Sequence, residues 1–273
     1  MSTAAADSIR HALSDAIAVD IECLEVFPEI ESTSSFLLAQ PGPPAGKARV
    51  AMAEHQTSGR GRFGRRWISP PLSGLCMSMA YTFARKPSQL PGLTLAAGIA
   101  VIDALTGLTI EGVDLKWPND LIARDRKLGG ILTEARQNGA DGTTVVIGIG
   151  VNIELSGASL NRITSTSERG AIDLASMVEK PPSIAALAVV VIEHLMETLH
   201  CFGTQGFAPF RDAWDRHDWL QSREISVETP EGVVSGRAAG IDDTGALVIR
   251  TKRGDRSIVS GSITLSRLAV AGE

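Results

Sequence analysis

The chain has 273 residues, 44% of them hydrophobic and 21% charged, and a formal net charge of -5 at pH 7. That is enough apolar material for one large domain and a small one, and the acidic balance excludes broad, sequence-independent nucleic-acid binding, which needs a large cationic surface. Cys23, Cys76 and Cys201 are odd in number, scattered and free of CxxC spacing, and the five histidines show no metal-ligand spacing, so neither a disulfide framework nor a protein-bound metal is expected.

Met1–Arg10 lacks the basic start and apolar stretch of a secretory signal, which makes the cytoplasm the expected compartment. Residues 7–20 read as a short amphipathic helix, with nothing before it long enough for a DNA-binding helix-turn-helix domain. Cys23–Phe27 reads as a strand, and Ser32-Thr33-Ser34 before Phe36-Leu37-Leu38 as a helix N-cap. Strands are predicted at Val50–Glu54 and Leu75–Phe83, the latter alternating Leu, Met, Met, Tyr, Phe with Cys, Ser, Ala, Thr. A helix opening at Pro91 runs to about Leu105, followed by strands at Asp114–Trp117, Gly130–Ala135 and Thr143–Ile153. Helices are predicted at Ser183–Phe202 and Phe207–His217; the most apolar run, Ile184–Ile192, falls short of the ~20 residues that cross a bilayer, so no membrane span is expected. After Trp219 come short β-rich stretches, Glu224–Thr229, Val233–Ile241, Ala246–Thr251 and Arg256–Val259, punctuated by Glu231-Gly232, Asp242-Asp243-Thr244-Gly245 and Gly254-Asp255. They read as a small β-barrel, which puts domain boundaries at 1–222 and 223–273.

Positive charge is concentrated in one place: Arg60, Arg62, Arg65 and Arg66 fall within seven positions. Gly59-Arg60-Gly61-Arg62-Phe63-Gly64 matches the dinucleotide-binding G-x-G-x-x-G pattern, but that fingerprint needs a helix directly after the glycines, and Trp67-Ile68-Ser69-Pro70-Pro71 forbids one. A kinase loop fails as well, because no HRD or DFG follows. The glycines instead let the backbone approach a ligand, and the arginines offer forked donors for phosphate oxygens, so the segment reads as a polyphosphate clamp; a solvated basic hairpin or an RNA-contacting segment are the alternatives. Ordering about eight such residues costs roughly 1–2 kcal/mol each, and disorder without ligand is expected. Further on, Lys116-Trp117-Pro118-Asn119-Asp120 puts a cation at a strand end before a polar turn, and Lys127-Leu128-Gly129-Gly130-Ile131-Leu132 sets a lysine beside two glycines. Each motif alone is also explained by a strand meeting a turn.

Together and in this order, Glu31–Ser34, Gln56–Arg62, Trp67, Lys116–Asp120, Lys127–Leu132, Gly148–Ile153, Gly240–Asp242 and Gly245–Leu247 resemble the biotin protein ligases, over nearly the whole chain. The resemblance implies an α+β fold: a mixed β-sheet catalytic domain related to the class II aminoacyl-tRNA synthetase and biotin-lipoate ligase core, with a C-terminal SH3-like barrel. It implies ATP-dependent activation of biotin to biotinyl-AMP and transfer to a lysine of a biotin carboxyl carrier protein, by a monomer or homodimer, with Mg²⁺ arriving on ATP. Ser32, Thr33, Gln56, Arg60, Gly61, Arg62 and Lys127 are then expected at biotin and the activated phosphate, Gly129 and Gly130 along the biotin pocket, and Trp67 and Asn152 near the adenine. Ser34, where the family usually has Asn, is expected to give up an amide contact to the ligand, and Gly59 belongs to the same loop. For catalysis, Lys127 is assigned to the α-phosphate oxygens, Arg60 and Arg62 to the phosphates and biotin carboxylate, and Asp120 to the acceptor amine or to shaping the turn. The missing helix-turn-helix makes a repressor role unexpected. A lipoate or octanoate ligase on the same scaffold is the nearest alternative, and a non-catalytic nucleic-acid-binding module a more distant one.

Overall fold

The computed structural model describes residues 2–84, 90–137, 142–166 and 169–265. Helices α1 (Ser2–Ala12) and α2 (Asp15–Ala18) lead into strand β1 (Ile21–Phe27). Ser32 then caps α3 (Thr33–Ala39), its hydroxyl accepting from Ser35 N at 3.3 Å, which satisfies one of the backbone donors a helix start leaves open. Strands β2 (Ala48–Ala53) and β3 (Gly74–Phe83) flank the arginine-rich loop, and α4 (Leu90–Gly107) leads to the hairpin β4 (Val113–Lys116) and β5 (Asp120–Ala123). The long pair β6 (Arg126–Gln137) and β7 (Thr143–Asn152) is followed by α5 (Gly157–Thr166), α6 (Ile184–Gln205) and α7 (Arg211–His217).

The first seven strands form one sheet in the order β1-β2-β3-β7-β6-β5-β4. Only β1 and β2 run parallel; the other pairings are antiparallel. Strand alternation divides the sheet into two unlike faces. Met77, Met79, Tyr81, Ile147, Ile149 and Val151 share a core with α1, α4 and α6. The opposite parity carries small residues, Ser78 and Ala80 on β3 and Gly148 and Gly150 on β7; there α3 covers one end, Leu37 packing with Ala51, Ala80 and Val146. Beyond α3 the small residues leave open space, and that space is the site.

Helix α6 is, among the described residues, the one helix long and apolar enough to cross a membrane by length and composition. Reading its apolar run as ending at Ile192 was too short, because Leu195, Met196, Leu199 and Phe202 extend the same stripe beyond Glu193. The stripe is buried against the sheet and α4. Among the described strands and α-helices, three were not predicted: β5, whose four residues directly follow the Pro-Asn turn, α5 and the last strand.

The C-terminal strands β8 (Glu224–Thr229), β9 (Gly232–Ile241), β10 (Leu247–Thr251), β11 (Gly254–Ile258) and β12 (Ser262–Leu265) form an antiparallel sheet in the order β11-β10-β9-β8-β12. Its buried residues include Ile225, Val227, Ala238, Leu247 and Ile249. The expected barrel is not closed by hydrogen bonds: among the described residues, β11 and β12 remain the two edges. The two sheets meet through Trp117, whose Nε1 donates to Gly245 O at 3.0 Å, and Lys116, whose Nζ donates to Ile263 O at 3.4 Å.

Candidate active site

A cavity of 690 Å³ opens on the small-residue face of the large sheet, within the size range of small-molecule sites. Ser32, Thr33, Ser34, Gln56, Arg60, Gly61, Arg62, Trp67, Asp120, Lys127, Gly130 and Asn152 all line it. Gly59 does not; it forms the neck of the arginine loop, its carbonyl accepting from Trp67 N at 2.9 Å. Gly129 also falls outside, contrary to its expected place in the pocket. Strand alternation turns it to the other face of the sheet, where an added Cβ would lie 2.9 Å from Leu121 Cδ1.

One end of the cavity is a buried hydroxyl cluster. Gln56 Oε1 accepts from Thr33 N at 2.9 Å and from Thr33 Oγ1 at 3.2 Å. Ser78 Oγ lies 2.7 Å from Thr33 Oγ1 and 2.9 Å from Ser34 Oγ. Ser34 is buried in this cluster, so its hydroxyl has an internal partner in Ser78. Ser78 itself was not among the residues singled out from sequence. Its signal was present as the polar parity of β3, but that parity reads equally well as an exposed face, whereas all ten residues of β3 are buried.

Two glycines on β7 determine how close the other groups can come. A Cβ at Gly148 would sit 2.6 Å from Ser34 Oγ, and one at Gly150 would sit 2.6 Å from Trp67 Cζ2. Both approaches are shorter than contact distances allow, so only glycine lets Ser34 reach Ser78 and the Trp67 indole lie on the strand. Trp67 Nε1 is buried, and the Trp67 and Gln56 side chains both bear on the buried Cys76 thiol. Asn152 is buried, and its Nδ2 donates to Ile172 O at 3.0 Å, tying the 170–172 segment to the sheet.

The charged end is built from the hairpin and the loop. Lys127 Nζ lies 2.5 Å from Asp120 Oδ1, across the β5–β6 pairing. Arg60 donates from both terminal nitrogens to Glu134, at 2.9 and 2.7 Å. Arg62 Nη2 donates to Ser260 Oγ at 3.0 Å, and Arg65 Nη2 to Ser262 Oγ at 3.4 Å. Burial pushes the Arg62 guanidinium below its ordinary value, partly opposed by the negative charge of Asp120. The loop closes on itself through Gly61 N to Arg65 O at 2.8 Å. The side chains outside the loop that Arg60, Arg62 and Arg65 meet lie more than seventy residues away in sequence, so a local reading gives no sign of these contacts.

The cavity therefore joins a hydroxyl and amide cluster able to hold a polar, uncharged group to a set of cations able to hold phosphate and carboxylate oxygens. Placing those two ends in one pocket suits a reaction between an acid and a nucleotide. The family model described as "Biotin/lipoate A/B protein ligase family" matches residues 26–152, and that described as "Biotin protein ligase C terminal domain" matches residues 223–266. The bifunctional ligase/repressor BirA of Escherichia coli (strain K12) is 33% identical over 244 residues, covering 88% of this chain and 73% of that protein. A biotin--[acetyl-CoA-carboxylase] ligase of Mycobacterium tuberculosis is 33% identical over 242 residues, covering 86% of this chain and 85% of the relative. The structure of biotin protein ligase from Aquifex aeolicus in complex with biotin and ATP superimposes with a TM-score of 0.74 at 26% identity, covering 90% of this chain and all of that one.

Proposed function

Because the chain belongs to the biotin/lipoate A/B protein ligase family, we propose that it is a biotin protein ligase, activating biotin with ATP and passing it to a lysine of a biotin carboxyl carrier protein. The observation that carries this reading is the single cavity in which the Thr33–Gln56–Ser78 cluster and the cations Arg60, Arg62 and Lys127 face one ligand space. The hydroxyls and amide match a neutral cyclic urea, and the cations match a carboxylate and an α-phosphate at the other end of one elongated molecule.

In the first step the biotin carboxylate oxygen attacks the α-phosphorus, the bond to the β-phosphate oxygen breaks, and pyrophosphate leaves. Negative charge grows on the α-phosphate oxygens, and Lys127, with Arg60 and Arg62, supplies the fixed positive charge that stabilises it; Mg²⁺ enters as part of the ATP substrate. Lys127 starts paired with Asp120. As its ammonium turns to the phosphate, the Asp120 carboxylate is released to orient the acceptor amine and take its proton. The amine nitrogen then attacks the acyl carbon, the bond to AMP breaks, and an amide forms. Trp67, over Gly150, and Asn152 bound the nucleotide end.

Residues 1–222 act as the catalytic unit and 223–273 as an SH3-like unit that braces it, working in the cytoplasm on a carboxylase carrier domain. Pyrophosphate exchange into ATP, with purified protein and Mg²⁺, tests the first step and the acid together. Exchange that depends on biotin is the expected result. Exchange with lipoate or octanoate in place of biotin would transfer the chain to the neighbouring branch of the family, and no exchange with any acid would end the proposal.

A further inference from the structure

Arg60 sits at the boundary between the ligand cavity and a second one of 440 Å³, lined by the loop, Trp117–Asn119, Ile131–Ala135, Val259 and Ser260. On that boundary the arginine is held by Glu134, from a strand position two residues beyond Leu132, which faces the ligand. Successive alternate positions of β6, Gly130, Leu132 and Glu134, share one face. The acid therefore lines the second cavity at the edge of the site, on a strand paired along its length with β7, and is a fixed point against which a loop arginine can be set.

The donor count is informative. A guanidinium has five N–H donors. Glu134 takes one from each terminal nitrogen, an end-on pairing that leaves the edge formed by Nε and one terminal nitrogen with donors to spare. Among the described residues, Arg60 Nε makes no hydrogen bond or ion pair with the protein. An arginine held end-on by one carboxylate can present that side edge to a second anion, and the carboxylate fixes the plane in which the edge lies. Without it, Arg60 would have to be ordered by the ligand alone, on a loop whose other anchors, Ser260 and Ser262, are neutral.

We propose that Glu134 is a positioning residue for the adenylation step: it orients Arg60 so that the free edge of the guanidinium meets the reacting phosphate and carboxylate oxygens, and it does not touch the substrates. This rests on the assignment of Arg60 to those oxygens. Because Glu134 acts through Arg60, its loss is felt where charge develops and not in the hydroxyl cluster that takes the uncharged end of the acid.

The test is a double-mutant cycle on biotin-dependent pyrophosphate exchange with Arg60→Ala, Glu134→Ala and the double variant, alongside binding of biotin without nucleotide. Glu134→Ala is expected to lower kcat/KM for ATP roughly tenfold, as for loss of a hydrogen-bonded charged partner, with biotin affinity falling by a smaller factor because Arg60 also meets the biotin carboxylate. In the Arg60→Ala background the same substitution should have no further effect, and Glu134→Asp should recover part of the loss. If Arg60→Ala is costly but Glu134→Ala is harmless, or is equally costly without Arg60, Glu134 does not act through the arginine and the proposal is wrong. If Arg60→Ala is itself harmless while exchange persists, the Arg60 assignment fails and this inference with it, and the ligase reading stands.

Discussion

Lys127 and Asp120 form the most consequential pair of side chains in the site, and each limits what the other can do. At 2.5 Å the ammonium and carboxylate neutralise one another, so neither is available until a phosphate competes for the lysine. Replacing the lysine removes the cation from the developing charge and leaves Asp120 without its partner. Lys127→Ala is expected to lower the rate of biotin-dependent pyrophosphate exchange by about 10²–10³, in the range of losing one preorganised donor, while the thermal midpoint moves little because both groups are partly exposed. Near-normal exchange in the variant would remove Lys127 from the chemistry. Single residues such as these were legible in the sequence because their types announce the chemistry: a lysine beside glycines, arginines between glycines, a Ser-Thr pair at a helix start. Ser78 was not legible, because a serine on an alternating strand has the same appearance whether its face meets water or, as here, Ser34 and Thr33. Nor was the orientation of Gly129, which depends on the register of β6 against β5 and β7.

At the scale of elements, the regular pieces followed from local rules. The cap at Ser32, the alternation of β3 and the apolar stripe of α6 are each fixed by residues a few positions apart. The loop between β2 and β3 is different, because its conformation depends on residues from β6 and from the last part of the chain. Arg62 and Arg65 anchor it to Ser260 and Ser262, so the C-terminal sheet helps set the shape of the arginine loop. Exposed hydrogen bonds of this kind contribute about 0.5–1.5 kcal/mol each at most, enough to shift the population of a docked loop. The combined Ser260→Ala and Ser262→Ala variant is expected to be cut by trypsin at the loop arginines about two- to tenfold faster when empty. Adding biotin and ATP should slow cleavage of the variant and the parent to similar rates, since ligand contacts then hold the loop. Unchanged cleavage of the empty variant would mean that Glu134 and the loop's own backbone contacts suffice to dock it.

The whole molecule is two sheets joined at the edge of the site, and the joint carries a titratable group. Trp219 N donates to Leu115 O at 3.0 Å, the Trp219 ring lies under Arg223 at 3.9 Å and Arg169 at 4.5 Å, and its Nε1 donates to Asp125 Oδ1 at 3.0 Å. The sequence showed a change of texture near this point but gave no hint of the joint itself, which is assembled from β4, α7 and the start of β8. Immediately before Trp219, Asp218 accepts from Leu220 N at 2.9 Å through Oδ1, while its Oδ2 is buried without a partner. Burial is the largest influence on this carboxyl; the Leu220 N–H opposes it, Asp215 and Asp114 reinforce it, and the pKa is raised from 3.8 to about 6. The folded protein therefore holds this proton more tightly than the unfolded chain does. Its contribution to stability is full below about pH 4 and is lost as pH rises through about 6, the reverse of the usual effect of a salt-bridged aspartate. Asp218→Asn keeps an acceptor for Leu220 N and removes the charge. Urea midpoints of the two proteins should nearly coincide near pH 4, diverge in favour of the variant between about pH 4 and 6, and keep a constant separation above that range. A separation independent of pH would show that Asp218 is ionised throughout, and that the joint between the sheets holds its charge without cost.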